Sequence, residues 1–220
     1  MSETGAGFAK QAFLNLPAEK RERILRAAVE EFAEGGYENT SIQQIAAKAG
    51  ISVGAVYKYF EDKEALFACV VQEGLGVLEQ TLQALAATEE DIALKAETIL
   101  RDLLAFSREN PELIRLYHVL TTSGNRDVLR QFSQRIEALS ASVYRDTIAA
   151  GQKTGDVRKD VDPSFFAFLL DNIFMMLQFS TACDYYRERF TIYTGRQPED
   201  CDDWIVAQTL MFLKAAFNFK

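Results

Sequence analysis

The chain has 220 residues, of which 48% are hydrophobic and 25% charged, and its formal net charge is −8. This composition supports a packed core and excludes a disordered or fibrous chain. Three cysteines without a close pair and a single histidine argue against a disulfide framework and against a structural zinc site. We therefore expect reduced thiols, a cytoplasmic location, and neither a metal nor another cofactor.

The N-terminal residues 1–16 contain no apolar run preceded by basic residues. We therefore expect no signal peptide and interpret this segment as a flexible leader. Beyond it, apolar residues recur at spacings of three and four and nowhere alternate strictly with polar ones. This periodicity predicts an all-α chain.

Three helices are predicted at the start of the folded region. The first covers Pro17–Glu34 and ends at Gly35–Gly36, because glycine accepts the left-handed conformation of a helix C-cap. The second covers Ser41–Lys48 and closes at Gly50. The third is short, Val53–Tyr59.

The two short helices carry capping residues at their starts. Ser52 precedes the third helix, and two capping boxes fit the second helix equally well, Ser41 with Gln44 or Thr40 with Gln43. Joined by the sequence AGIS, the pair has the size of a helix-turn-helix, whose second helix enters the major groove of DNA. A plain helical hairpin inside a core has the same size and is the alternative.

The distribution of charge favours DNA. From Asn39 to Phe60 the sequence has no acidic residue, whereas Lys48 and Lys58 lie within it. Acidic side chains there would repel phosphates, and affinity for DNA depends largely on neutralising phosphates. The small number of cations predicts modest affinity per copy.

The third helix divides its side chains between two faces. Val56 and Phe60 are four residues apart and share one face, which we expect to dock on the first two helices. Gly54, Tyr57 and Lys58 then point elsewhere. Gly54 lets the backbone approach a surface closely, and the ring and hydroxyl of Tyr57 suit a thymine methyl or a phosphate oxygen. A tyrosine at the rim of the core, with a solvated hydroxyl, is the alternative.

The helix-turn-helix region and the helix before it resemble a known family. The stretch TSIQQIAAKAGISVGAVYKYFEDKEALF, with the preceding ILRAAVEEFAEGGYENT, resembles the DNA-binding module of the tetracycline-repressor-like (TetR) family of bacterial transcription regulators. The resemblance covers about Lys20 to Phe67. It implies a three-helix helix-turn-helix domain at residues 17–65 and a larger helical domain at residues 66–220 that binds a small effector and forms a homodimer.

The resemblance also implies roles for individual residues. The start of the second helix would contact phosphates, Val53 to Ala55 would face bases, and Lys63 would bind a phosphate at the start of the fourth helix. Because Val53 to Ala55 lack hydrogen-bonding side chains, DNA shape and methyl contacts would supply much of the specificity. The predicted DNA-contacting residues are Thr40, Ser41, Gln43, Ser52, Val53, Gly54, Ala55, Tyr57, Lys58, Tyr59 and Lys63.

The rest of the chain is predicted to be helical. The fourth helix starts after Asp62 and reaches about Ala87, and Gly74 and Gly76 are expected to bend it. Later helices are predicted near residues 91–109, 111–120, 127–150, 163–186 and 203–218. The penultimate one is apolar nearly all round and so needs cover on several sides. Its most apolar window, Phe165 to Phe179, is short for a membrane span of about 20 residues, so we expect a buried helix. By the resemblance, the last two helices form the dimer interface; a central core helix in a monomer is the alternative.

A small-molecule site is predicted in the larger domain. Arg115 and His118 are three residues apart on one helix and can clamp a carboxylate. Asp171 and Asn172 interrupt an apolar helix and need partners if buried. The other side chains of the predicted effector pocket are apolar or aromatic and indicate a lipophilic effector, although such stripes also occur in plain cores. They are Phe106, Tyr117, Phe132, Phe168, Met175, Met176 and Phe179.

The sequence predicts a DNA-binding transcriptional regulator, a repressor that a small effector releases from a near-palindromic operator. It has no glycine-rich phosphate loop, nucleophile motif or metal-ligand spacing, so we do not expect an enzyme. The alternative function is an effector-free helical adaptor or an architectural DNA-binding protein.

Overall fold

The computed structural model describes residues 7–86, 92–122 and 126–217, and over these ranges the chain is helical without strands. The all-α prediction is therefore confirmed. The helices are α1 Gln11–Leu14, α2 Ala18–Asn39, α3 Ile42–Ala49, α4 Val53–Tyr59, α5 Lys63–Ala86, α6 Ile92–Glu109, α7 Pro111–Thr122, α8 Arg126–Thr154, α9 Pro163–Ala182, α10 Asp184–Thr194 and α11 Asp202–Phe217, with one 3-10 turn, Pro198–Asp200.

The helices form two compact units. The first comprises Met1–Glu79 with Arg115–Arg135, and the second comprises Gln80–Ile114 with Ile136–Lys220. The predicted boundary at residue 65 lies close to the start of α5, which continues to Ala86. The first unit therefore keeps most of α5 with the helix-turn-helix, where sequence reasoning assigned that helix to the larger domain.

Local capping explains where α2, α3 and α4 begin and end. Gly36 has a φ of 72° and interrupts α2, as the glycine pair predicted. Of the two possible capping boxes, the structure forms the one in which the Gln44 amide N–H donates to Ser41 Oγ and the Ser41 N–H to Gln44 Oε1. Gly50, with a φ of 64°, closes α3, and Ser52 Oγ accepts from the Ala55 N–H at the start of α4.

The segment before α2 is ordered within the described residues, in contrast to the flexible leader predicted for residues 1–16. Residues 11–14 form α1, and Phe13 is buried. The leader contains several apolar side chains, and once one of them finds a core site the segment is held in place.

In the second unit, the predicted helix at residues 163–186 is divided. Asp162 caps α9 through the Phe165 N–H at 2.8 Å, but Cys183 adopts an extended conformation, with φ −114° and ψ 127°, and a separate helix, α10, follows. No glycine or proline marks this break, so no local sequence pattern indicates it. Among the described helices, α9 has the length and composition to cross a membrane, a test that the core helix of a soluble protein also passes.

Candidate nucleic-acid interface

The inner face of the helix-turn-helix is built as predicted. Val56 on α4 and Phe60 just after it are fully buried. So are the apolar residues expected to receive them on the two preceding helices, namely Ile24, Phe32 and Ile45. Burial of this face fixes which side of α4 remains for solvent or a ligand.

The opposite face of α4 is open. Tyr57 is 48% exposed, and Ser52, Gly54 and Lys58 are also exposed. A methyl group added at Gly54 would meet only Ser52 Oγ, at 4.0 Å. The fold therefore does not require a glycine at this position, and the missing side chain would allow close approach to an external surface.

The other predicted contacts around α4 vary in exposure. Gln43 is exposed on α3, whereas Ser41, Val53 and Ala55 are half-buried. The Ser41 hydroxyl is also engaged by its own helix, because it lies 2.6 Å from Gln44 Oε1. These four residues lie in the first turns of α3 and α4 and remain candidates for DNA contact.

The structure corrects the expectation for Tyr59. Its side chain is only 6% exposed, and its ring lies against that of Phe13, with centroids 6.0 Å apart. The sequence analysis kept both tyrosines of α4 for DNA because it assigned no core partner to the second. Phe13, in the segment interpreted as a leader, is that partner.

The structure also corrects the expectation for Thr40 and shows partners for Lys63 within the module. Thr40 is buried, and its hydroxyl lies 2.9 Å from the Glu31 carbonyl oxygen and 2.8 Å from that of Gly36. The Lys63 ammonium donates to the carbonyl oxygens of Tyr37, Glu38 and Thr40, at 2.8, 3.4 and 3.1 Å. It also lies 4.4 Å from the centre of the Tyr37 ring. Lys63 therefore caps the end of α2, and its contact with a phosphate stays a prediction.

One of the two lysines in the acid-free stretch is neutralised by acidic side chains that lie close to it in the fold. Lys48 Nζ lies 3.1 Å from Glu30 Oε2 and 3.0 Å from Glu31 Oε1, and these two carboxylates raise the lysine pKa. Both acids come from α2, outside the acid-free stretch. Lys58 is the lysine of that stretch for which the structure shows no such neutralisation.

Comparisons with known proteins decide the family. A sequence model described as "Bacterial regulatory proteins, tetR family" matches residues 24–70. The HTH-type transcriptional repressor DhaR of Mycobacterium sp. (strain GP1) is 30% identical over 154 residues, which are 68% of this chain and 76% of DhaR. The repressor NicS of Pseudomonas putida is 32% identical over 148 residues, 64% of this chain and 67% of NicS.

The chain belongs to the TetR family of bacterial regulatory proteins.

Further relatives extend the comparison. The transcriptional regulator YerO of Bacillus subtilis is 27% identical over 154 residues, and the match spans about half of YerO, 52%. Two solved structures share the fold of this TetR-family chain. The SmeT–triclosan complex has a TM-score of 0.67 at 20% identity and 92% coverage of both chains. The fatty acid degradation regulator FadR of Bacillus halodurans has a TM-score of 0.68 at 15% identity, covering 86% of this chain and 97% of that one.

Membership in the TetR family makes the chain a DNA-binding transcriptional regulator. This function is favoured over the helical adaptor and the architectural protein that were kept as alternatives. TetR regulators bind operators and small effectors as dimers, which directs attention to the second unit and to α7.

The predicted effector residues are spread over both units. On α7, Arg115, Tyr117 and His118 are half-buried, and burial lowers the pKa of His118. Since the histidine then favours its neutral form, any carboxylate clamp on this helix depends chiefly on Arg115. The side chain of Phe132, on α8, lies outside the described residues.

Within the second unit, the predicted effector residues differ in exposure. Phe179 is buried, whereas Phe168 and Met176 are exposed, and Phe106 and Met175 are half-buried. Asn172 Nδ2 donates to the Phe168 carbonyl oxygen at 2.7 Å, so its own helix supplies the partner that its position requires. Sequence periodicity alone could not separate these environments, because α9 is apolar on nearly all sides.

Asp171 has the most perturbed carboxyl group of this unit among the described residues. Burial and, to a smaller extent, the charge of Glu137 raise the pKa of Asp171 to about 6. Its own charge in turn adds to the burial that raises the pKa of Tyr144. A half-buried carboxylate of this kind favours its neutral form or a cationic partner.

A small cavity of about 40 Å³ lies in the same unit. At about 10–15 Å³ per water, it holds roughly three water molecules. It is lined by Ile92, Lys95, Ala96, Ile99, Tyr144, Thr147, Ile148, Leu170, Phe174, Leu213 and Phe217, none of which the sequence analysis selected. Tyr144, Thr147 and Lys95 supply its polar atoms, and the rest of the wall is apolar.

Proposed function

We propose that this protein is a repressor that reads a near-palindromic operator with α4 and is released by a small lipophilic effector. The observation that carries the DNA-reading part is the division of α4 into a buried face, with Val56, and an open face, with Gly54, Tyr57 and Lys58. A helix anchored on one side and open on the other can enter the major groove.

The proposed DNA-contacting set is narrower than the sequence alone suggested. It keeps Tyr57 and Lys58 for backbone or base-edge contacts, Gly54 for close approach, and Ser52 with Gln43 for phosphates. Ser41 contributes its exposed portion at the start of α3, and Val53 and Ala55 contribute theirs at the start of α4. Thr40, Tyr59 and Lys63 support these residues from within the module.

The proposed homodimer forms through α9 and α11. Phe165, Phe168 and Leu169 are exposed on α9, and Met211 and Phe212 on α11. Large exposed apolar side chains on two helices of one unit favour a protein interface. A twofold interface would place two copies of α4 about one DNA turn apart, roughly 34–36 Å, so each reads one operator arm.

The proposed effector is lipophilic because the described part of the second unit offers apolar walls with few polar atoms. SmeT, which shares the fold, was solved with triclosan, and FadR is named as a regulator of fatty acid degradation. The cavity of about 40 Å³ is too small for such molecules unless the unit opens. Effector binding would thus select an expanded dimer with its reading helices wrongly spaced. We place this regulator in the cytoplasm, with its DNA.

The test of the proposed function is binding to the DNA upstream of the protein's own gene, measured by fluorescence anisotropy against a scrambled duplex of equal length. We expect preferential binding to the upstream DNA, with loss of at least about tenfold in affinity for Tyr57→Ala, as hot-spot contacts give. Equal affinity for both duplexes would refute sequence-specific reading. A panel of lipophilic and polar compounds, scored by release of the duplex, then tests the effector class.

A further inference from the structure

We propose that residues 10–16 act as an N-terminal clasp that holds the end of α4 in its DNA-reading geometry, with Phe13 and Lys10 as positioning residues for operator binding. This inference rests on the proposed function of α4. The clasp lies outside residues 24–70, the part of the chain that matches the TetR family model.

The recognition helix needs outside support. It has seven residues, Val53–Tyr59, and includes Gly54. Isolated helices shorter than about 12–15 residues are marginal in water, and glycine weakens a helix relative to alanine. The carbonyl groups of its last turn also have no partners further along the helix.

Lys10 supplies partners for two of those carbonyl groups. Its backbone N–H donates to the Tyr59 carbonyl oxygen at 2.8 Å, and its ammonium donates to the Tyr57 carbonyl oxygen at 3.1 Å. The Phe60 N–H donates to the Val56 carbonyl oxygen at 2.8 Å. A residue 47 positions away in sequence from Tyr57 thus closes the end of the helix.

Phe13 provides the apolar part of the clasp. Its side chain is 2% exposed, and its ring centroid lies 4.8 Å from that of Phe60 and 6.0 Å from that of Tyr59. These contacts explain why Tyr59 turns inward while Tyr57, two residues earlier, turns outward.

The other end of the clasp is fastened to α2. One guanidinium nitrogen of Arg21, Nη1, donates to the carbonyl oxygens of Leu14 and Leu16, at 2.8 and 2.9 Å. The segment therefore connects the start of α2, through Arg21, with the end of α4, through Lys10 and Phe13. The exposed pair Lys10–Glu61, at 2.7 Å, adds little, because surface ion pairs are worth about 0–1 kcal/mol.

The consequence for DNA binding follows from the position of the bonds. Lys10 holds the carbonyl group of Tyr57, whose side chain is proposed to contact DNA. Without the clasp, the last turn of α4 samples other conformations, and only the fraction in the reading geometry binds the operator. Apparent affinity falls in proportion to that fraction.

The experiment uses the full chain and the variants Phe13→Ala and Lys10→Met. The matched control on α1 is Gln11→Ala, because the exposed Gln11 side chain donates to Asn15 Oδ1. Amide hydrogen exchange is measured for residues 53–60. The affinity of each variant is measured for the operator and for a scrambled duplex. We expect Phe13→Ala to speed exchange in α4 and to weaken operator binding about tenfold, as when the reading fraction falls to about a tenth. Gln11→Ala should behave as the parent.

The two DNA readouts distinguish positioning from charge. If Lys10 merely contacted a phosphate, Lys10→Met would weaken both duplexes alike, whereas loss of positioning weakens the operator more than the scrambled duplex. Unchanged exchange in α4 with unchanged operator affinity in Phe13→Ala would overturn the clasp. If Phe13→Ala fails to fold, Lys10→Met decides in the same way. If the parent protein binds no operator, the proposed function is wrong. The clasp is then tested by amide hydrogen exchange in α4 alone.

Discussion

Lys63 has a structural role at the end of α2, besides the phosphate contact that the resemblance implies. The ammonium group is bound by three carbonyl oxygens at the end of α2. We expect Lys63→Met to lower the free energy of unfolding by about 1–3 kcal/mol, the range for hydrogen bonds that involve a charged group. Urea unfolding followed by circular dichroism measures this loss.

The salt dependence of DNA binding supplies the control for Lys63. Removing a phosphate contact reduces the slope of log affinity against log salt by about 1. We expect Lys58→Met, at an exposed position, to show this reduction with unchanged stability. A reduced slope together with full stability in Lys63→Met would contradict the capping role.

The raised pKa of Asp171 predicts that the stability of the protein depends on pH. Its pKa in the folded chain, about 6, exceeds the usual 3.8, so the folded state binds the proton more tightly than the unfolded state. Stability therefore falls as pH rises from about 4 to about 6 and stays lower above that range. Asp171→Asn should remove this fall and stabilise the protein at pH 7.5 by about 1–2 kcal/mol, after allowance for partial solvent exposure.

Unfolding at pH 4.5 and at pH 7.5 tests this prediction for Asp171. The gain from Asp171→Asn should be larger at the higher pH. Glu137→Gln is a second variant, which should shift the transition only slightly, because burial is the larger cause of the raised pKa. An equal gain at both pH values would show that the carboxyl group does not titrate in this range.

At the level of elements, Gly54 in α4 offers a clean separation of fold from function. A methyl group there meets nothing closer than Ser52 Oγ at 4.0 Å. Gly54→Ala should therefore raise the free energy of unfolding by about 0.5–1 kcal/mol, as the helix propensities give. It should at the same time weaken operator binding, because the added methyl group separates the helix from the bases.

Thermal unfolding and operator titration of one Gly54→Ala preparation measure both effects. Ala47→Gly is a suitable counterpart, since it changes the stability of the neighbouring helix α3 by a similar amount at an exposed position outside the proposed contact set. If Gly54→Ala bound the operator as well as the parent, α4 would not approach DNA through this face.

How well sequence reasoning predicted each element depends on where its determinants lie. α3 and α4 were predicted to within a residue because their caps, Ser41, Gly50 and Ser52, are local. The pairing of α1 with the end of α4 joins residues almost 50 positions apart, and no local pattern encodes it. The break at Cys183 was missed for a related reason, since tertiary packing and not a helix-breaking residue ends α9 there.

The site followed the same division. The outward position of Gly54, Tyr57 and Lys58 follows from helical periodicity, and the structure reproduces it. Tyr59 was misassigned because its burial depends on Phe13. The effector residues were the least predictable, because a helix apolar on every side, such as α9, gives no sign of which face meets a ligand and which meets core.

At the level of the whole molecule, the proposed dimer can be tested by placing a charge on α9. Phe168→Glu should raise the dimer dissociation constant by about 30-fold or more, the effect of losing a hot-spot contact of about 2 kcal/mol. Ile192→Glu is the matched control, because Ile192 is also highly exposed but lies on α10, outside the proposed interface. Analytical ultracentrifugation gives both constants.

DNA binding then reports on the dimer independently. A monomeric Phe168→Glu variant should bind a full operator no better than a single arm. If Ile192→Glu dissociated the dimer instead, the interface would run through α10 and the assignment to α9 and α11 would be lost.

The ion pairs of Lys48 with Glu30 and Glu31 affect how such a protein searches a genome. A DNA-binding module whose lysine is neutralised in this way gains less free energy from counterion release. Its affinity for unrelated DNA sequences is therefore expected to be lower. Genomes present about 10⁶–10⁹ such decoy sites, which compete for every copy of a regulator. We therefore expect the ion pairs of Lys48 with Glu30 and Glu31 to leave more copies of the protein free to occupy a rare target.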